Sequence, residues 1–296
     1  MSEIEISKER KSKKRLNTLN SYTTKSKILE IFTWILLILY MVPFYLMFIN
    51  SFKTRREIFA DTTGLPSVWN FKNYSEAIDR MGVVSAFTNS IIITVGGVIV
   101  ILIFSSMAAW VLVRNKSLKS KIIFYVFTAG MIVPFQAVMI PLVKWMGKIH
   151  FGQFNMLGTY YGLIFMYLGF GSSMSIFLYH GFMKSIPVEI EDAAIIDCCS
   201  KWQVYTKFVL PLLKPTTVTV AVLNSIWIWN DFLLPFLTVN GKLNTIPLAM
   251  NNFFGAFSKQ WELAMAALIM AIIPIVIFYF IVQKHVIAGI VQGSIK

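Results

Sequence analysis

The chain has 296 residues, 56% of them apolar and 14% charged, and its mean hydropathy is +0.67; that balance excludes an ordinary soluble domain and describes one membrane-embedded bundle with a tail. The net charge of +13 does not make it a nucleic-acid-binding protein, because the basic residues are not gathered into a patch interleaved with aromatics. Eight of the 27 Lys and Arg residues fall within residues 1–27, ahead of the first apolar run, where they serve as a topology signal or as contact with anionic lipid.

Residues 1–27 read as a basic tail too polar to fold alone. After Glu30 comes an uncharged run from Ile31 to Phe52, long enough to cross a hydrocarbon core of about 30 Å, and this is span one. It lacks the small-residue cleavage pattern of a signal peptide. Residues 53–82 are polar and read as an external loop, with Pro66, Trp69 and a short helix around Tyr74 to Arg80. Val83 to Val113 carries no charge and contains span two. Residues 114–121 hold four basic residues and no acid, a cytoplasmic signature. Span three, Ile122 to Val143, contains Pro134, Gln136 and Pro141, which either kink the helix or line a pathway. Residues 144–156 form a short outer loop. Asn155 to Ile164 leads into span four, which ends near His180; Gly158 and Gly162 within that lead are spaced for close helix packing.

The long polar island of the second half is residues 184–215. Pro187 fits the first turn of a helix, and Glu189, Glu191 and Asp192 follow where carboxylates favour a helix N-terminus. Residues 187–197 are therefore expected to form one short helix. Ser200 and Gln203 have the spacing of a capping box, which opens a second helix expected to stop at Pro211. Helices this short need a partner surface. Ala193 and Ala194 leave room for one, so the unit reads either as a docking knob or as an amphipathic hairpin lying on the membrane.

Span five starts at Pro215 and runs toward Trp227 and Trp229, whose indoles either mark the membrane boundary or belong to the pathway. Asp231 is a carboxylate at that boundary and is expected to face water or a partner. Asn224, seven residues earlier, suggests a hydrated wall along this span together with Asn230 and Asp231. Residues 240–260 form a loop rich in Asn, Gly and aromatics, and span six runs from Leu263 to Gln283. Six spans put both termini on one side. The segments then inside hold 18 of the 27 Lys and Arg residues, which makes that side cytoplasmic. Cys198 and Cys199 are adjacent and cannot staple a fold, and His150, His180 and His285 are too scattered for a metal site.

Several of these residues carry a resemblance. The run P-x-E-I-E-D-A-A-x-I-D from Pro187 to Asp197, followed by W-Q and L-P-L-L-K-P, resembles the EAA loop of binding-protein-dependent ABC importers, and more narrowly that of maltose-type carbohydrate permeases. Asn89-Ser90, the segment Ala108 to Arg114, and W-N-D-F-L-x-P from Trp229 to Pro235 extend the resemblance over the second half of the chain and beyond. It implies an all-α membrane protein, with six transmembrane helices of the type I ABC importer fold and a cytoplasmic helix-turn-helix coupling loop. The implied divisions are a basic tail (1–27), a transmembrane domain (28–284) that includes the loop at 184–215, and a cytoplasmic C-terminal tail (285–296). Pro187, Glu189, Asp192, Ala193, Ala194, Asp197, Cys198, Leu210 and Pro211 would then form the ATPase-coupling site, and Asn224, Trp227, Asn230 and Asp231 the pathway or outer gate. Cys198 stands where the family usually has Gly. A non-Gly residue in left-handed conformation costs about 1–2 kcal/mol, so this turn has either another geometry or strain.

The function this implies is one half of an ATP-driven sugar import pathway, with an oligosaccharide favoured, in a bacterial cytoplasmic membrane. No G-x-x-x-x-G-K-[ST] occurs in the sequence, so ATP and magnesium belong to a partner ATPase, and no cofactor and no catalytic role are assigned to this chain. The implied partners are a second, different permease subunit, an ATPase dimer, an external sugar-binding protein into which the 240–260 loop reaches, and the lipid membrane. The alternative is a secondary transporter driven by an ion gradient. That would need midplane charges or broken helices in repeated halves, and the sequence offers neither signal.

Overall fold

A computed structural model of the chain describes residues 24–151, 154–239, 241–254 and 260–294. The tail up to residue 23, residues 255–259 of the 240–260 loop, and the last two residues lie outside the described residues. Helix α1 covers Thr24–Asn50 and so begins inside the expected tail. The far loop carries α2 (Arg55–Ala60) and α3 (Lys72–Met81). Gly82, at φ 56°, ends α3 and turns directly into α4, Val83–Arg114; that left-handed turn is open to Gly without Cβ strain. The expected single span three is two helices, α5 (Leu118–Gly130) and α6 (Phe135–Met146), bent by 105°. Pro134 causes the correction, since it disfavours helical backbone at Val133 and cannot donate an N–H. Pro141 lies within α6 and does not stop it.

A two-residue antiparallel pair, β1 (His150–Phe151) with β2 (Phe154–Asn155), precedes α7, Tyr160–Met183. The spacing of Gly158 and Gly162 does not mark helix packing. Gly158 is a turn residue at φ 78°, and a Cβ on Gly162 would lie 1.8 Å from the carbonyl of Met156. The loop helices are α8 (Glu189–Ile196) and α9, Lys201–Leu212. Then follow α10 (Lys214–Asn230), α11 (Leu233–Val239), α12 (Ile246–Asn251) and α13 (Trp261–Ser294). Span six, Trp261–Ile281, keeps close to its expected bounds. Its helix continues through the expected tail, because no proline follows Pro274 to interrupt it.

Four helices are each long and apolar enough to cross a membrane: Ser26–Asn50, Val83–Arg114, Tyr160–Met183 and Trp261–Ile281. Two bent pairs, α5 with α6 and α9 with α10, bring the candidates to six. The long helices α4 and α7 make the most extensive contact, and α10 packs on both and on α13. Gly171 permits that close approach, for a Cβ there would lie 2.5 Å from Ile101 Cδ1 and 2.8 Å from Asn224 Oδ1. By contrast α1 exposes large apolar side chains from Ile28 to Phe48, which suits surrounding lipid or a neighbouring subunit.

Three apolar clusters stack along the bundle. One near the 184–215 loop joins Ala109, Tyr179, Met183, Ala194, Val204 and Leu213. A middle one joins Ile93, Ile101, Leu163, Tyr167 and Ile228. At the far end, Ala77, Met81 and Ala86 pack against Ile246, Phe253 and Leu263 to Ala267. The described part of the 240–260 loop is thus folded back onto the bundle.

Candidate functional site

In the 184–215 loop Pro187 lies outside the helix rather than in its first turn, separated from α8 by the N-cap Val188, and Glu189, Glu191 and Asp192 occupy the first turn. Their charge favours the helix N-terminus. At its other end the Cys198 N–H donates to the Ile195 carbonyl and the Cys199 N–H to the Ala194 carbonyl, both at 3.0 Å. These two bonds make a Schellman cap with Cys198 in the left-handed position, φ 60°. The strained alternative is the one realised. Ser200 then caps α9, donating its N–H to Gln203 Oε1 at 2.8 Å and accepting the Gln203 N–H at 3.3 Å. The helix does not stop at Pro211. A widened turn at Tyr205–Val209, in which the Leu210 N–H reaches the Tyr205 carbonyl, lies just before the proline. There the i−4 bond that proline cannot make is already given up. The chain bends at Leu213, by 75°, into α10.

Glu191 fixes this unit to the bundle. Its carboxylate, 7% exposed, meets Arg114 at 2.7 Å (Nη2) and 2.8 Å (Nε), and Trp110 Nε1 donates to it at 2.9 Å. Arg114 also donates to the Ile186 carbonyl at 3.0 Å. A second tie joins the hydroxyls of Tyr205 and Ser106, 2.7 Å apart. Both loop helices are therefore attached to the end of α4. Ala194 is buried at 2% exposure among these contacts, which corrects its expected place on a docking face. Ala193 is exposed, with Glu189, Asp192, Ile195, Ile196, Asp197 and Cys198. Leu210 and Pro211 are also exposed, on the second helix. A groove of about 470 Å³ runs between α8 and the end of α4, bordered by Trp110, Arg114, Asp192 and Lys201.

At the far end of α10 the four expected pathway residues separate. Asn224 is fully buried and donates to Ser175 Oγ at 3.0 Å and to the Val220 carbonyl at 2.8 Å. Asp231 accepts from Tyr167 Oη at 3.0 Å and from the Leu233 N–H at 3.0 Å, so it caps α11. Both side chains turn toward α7. Their seven-residue spacing forms a helix–helix seam rather than a hydrated wall. Trp227 is partly exposed and packs edge-on against Tyr167, 5.4 Å away. Asn230 is exposed and borders a cup, of about 330 Å³, with Trp229, Phe232, Asn251 and Phe254. Trp229 also borders a second, apolar cavity of about 390 Å³ between α4, α10 and α13. Nothing in the sequence distinguishes Trp229 from Trp227, since two tryptophans so close together look alike as boundary markers.

The far loop is held by polar contacts. Lys53, fully buried, donates to the Asp61 carbonyl at 2.7 Å. The Asp61 carboxylate accepts the N–H groups of Gly64 (2.9 Å) and Thr63 (3.0 Å), which hold its pKa below the ordinary aspartate value. Among the described residues no cluster of three His, Cys, Asp or Glu could hold a metal ion.

Residues 101–292 match the family described as Binding-protein-dependent transport system inner membrane component. Over 263 residues the chain is 48% identical to "Probable starch degradation products transport system permease protein AmyC" of Thermoanaerobacterium thermosulfurigenes, covering 88% of this chain and 94% of that one. It is 36% identical over 264 residues to the multiple sugar-binding transport system permease protein MsmG of Streptococcus mutans, covering 88% and 93%. It is 32% identical over 276 residues to the melibiose/raffinose/stachyose import permease protein MelC of Bacillus subtilis, covering 93% and 98%. The fold is similar, at a TM-score of 0.72 and 22% identity, to a chain in the crystal structure of a bacterial ABC transporter involved in the import of the acidic polysaccharide alginate, covering 89% and 98%.

Proposed function

The chain belongs to the family of binding-protein-dependent transport system inner membrane components, and on that premise we propose that it forms half of the pathway of a sugar importer, with α8 as the contact to a separate ATPase. It is a multi-pass membrane permease. Its sugar class follows the names of relatives at 48%, 36% and 32% identity, and an oligosaccharide is favoured. The remaining parts are a second, different permease subunit, an ATPase dimer that holds ATP and magnesium, and an external sugar-binding protein.

The observation that carries the coupling role is a short acidic helix exposed on one side and fixed on the other. Glu189, Asp192 and Ala193 are free, while Glu191 and Tyr205 are tied to α4. Force applied to the free side passes to α4 through Arg114, and to α10 through the 75° elbow at Leu213. A helix held only by lipid would lack such ties. The acidic face suits a basic cleft, and Ala193 lets a partner wall approach closely.

Asp192→Lys reverses the charge offered to the cleft, and Ala193→Trp fills the space. Each should abolish co-purification of the ATPase, or leave ATP hydrolysis unlinked to transport, with the spans still inserted. Wild-type ATPase binding and coupled transport in both variants would remove the docking role. The loop end is proposed to be cytoplasmic, as are both termini. A cysteine placed at Ser67 in a Cys-free chain should then react with an impermeant maleimide from outside the cell; protection there would invert the topology.

A further inference from the structure

The cup at the far end of α10 has a chemistry unlike that of the cavity beside it. Three rings, Trp229, Phe232 and Phe254, border it together with the amides of Asn230 and Asn251, and aliphatic side chains of α12 and α13 complete the wall. Its volume of about 330 Å³ falls within the range of small-ligand sites, roughly 300–1,000 Å³. Asn230 donates its Nδ2 to the Ile226 carbonyl at 2.8 Å, and its Oδ1 is a further acceptor. Asn251 closes α12 and is exposed, with a donor and an acceptor to offer. Aromatic faces beside side-chain amides match a sugar ring, which presents C–H groups on its faces and hydroxyls at its edge.

The adjoining cavity is lined by Val95, Val98, Val222, Pro274 and Phe278, with Thr94 and Ser225 supplying hydroxyls. Each sugar hydroxyl entering it without a partner would cost about 1–3 kcal/mol. Trp229 and Ile275 border both spaces, so the indole stands between a site that fits a sugar and one that does not. Phe87 packs edge-on against that indole, 6.2 Å away, and fixes its position.

We propose that this cup is a sugar subsite supplied by the chain itself, with Trp229 as its floor. It receives a hexose unit of the substrate at the outer end of the pathway, and Trp229 closes it off from the apolar cavity behind. The proposal rests on the sugar-importer reading above, and the experiment separates the two. The complete transporter, with its binding protein, is reconstituted and screened with maltotriose, raffinose and cellobiose for stimulated ATP hydrolysis. The stimulating sugar is then the probe.

In a chain carrying Met250→Cys, at a position that borders the cup, with Cys198→Gly and Cys199→Ala, the rate of maleimide labelling is measured with no binding protein present. The sugar should slow labelling about threefold or more by occupying the cup, while mannitol leaves it unchanged. Trp229→Leu should remove the protection and Trp229→Phe should keep it. The Phe variant and the otherwise native chain keep the test valid if the Leu variant fails to assemble. If a stimulating sugar does not slow labelling, the subsite is refuted and the importer reading stands. Protection by the sugar-free binding protein alone would make the cup a protein docking seat and also refute it. If none of the three sugars stimulates ATP hydrolysis, the sugar-importer reading falls and takes the subsite with it.

Discussion

Replacing Arg114 with Met keeps the apolar stem but deletes the guanidinium that holds Glu191. The carboxylate would retain Trp110 Nε1 at 2.9 Å and lose both Arg114 contacts, at 2.7 and 2.8 Å. The Ile186 carbonyl would also lose its donor. Stranding one member of a buried ion pair costs about 3–5 kcal/mol. Arg114 is 21% exposed and Glu191 7%, which places this pair near the lower figure, about 3 kcal/mol. The penalty comes from the stranded carboxylate, so adding Glu191→Met should recover most of it. In the purified complex, hydrogen exchange of amides 189–199 should rise by about two orders of magnitude in Arg114→Met and return toward wild type in the double variant. Residues 83–100, outside the loop contacts, should exchange as before. Wild-type exchange in the single variant, or a double variant as fast as the single, would refute the anchoring argument.

Cys198→Gly relieves the left-handed strain of about 1–2 kcal/mol and loosens the unfolded chain by roughly 0.5–1 kcal/mol; the Schellman cap should therefore become more protected in hydrogen exchange by up to about 1.5 kcal/mol, with ATPase coupling retained. Gly162→Ala has no such freedom, since a backbone carbonyl fills the Cβ position, and it should lower complex stability by about 1–3 kcal/mol in thermal unfolding. For Asp61 the folded pKa is depressed, so its contribution is complete above the unfolded value of about 3.9 and is lost as pH falls through the lower folded value. Amide protection of Thr63 and Gly64 should persist at pH 5 and fade at stronger acidity, and Asp61→Ala should remove it at every pH.

The six apolar runs, the capping box at Ser200 and the tension at Cys198 were legible because each depends on local backbone chemistry. The side of α8 that turns inward was not. Glu189, Glu191 and Asp192 are equivalent as charges near a helix start, and only the position of Arg114, 77 residues from Glu191, distinguishes one of them. Ala193 and Ala194 differ for the same reason. Asn224 and Asp231 were correctly paired on one helical face, but a face of two polar residues can line water or cross to another helix. Tyr167 and Ser175 on α7 make it the latter. Pro134 was visible as a disturbance, whereas the 105° angle depends on how α5 and α6 each pack.

The stacking of the three clusters sets an order on biosynthesis. The cluster beside the loop is made from residues 109–220, and it can close while the last quarter of the chain is still being translated. The far-end cluster joins Ala77, Met81 and Ala86 to residues 246–271. Those early side chains must wait without their partners until α13 emerges. The loop-side seam can therefore close first, and a ribosome stalled before Trp261 should leave a nascent chain with that seam formed and its far-end seam incomplete.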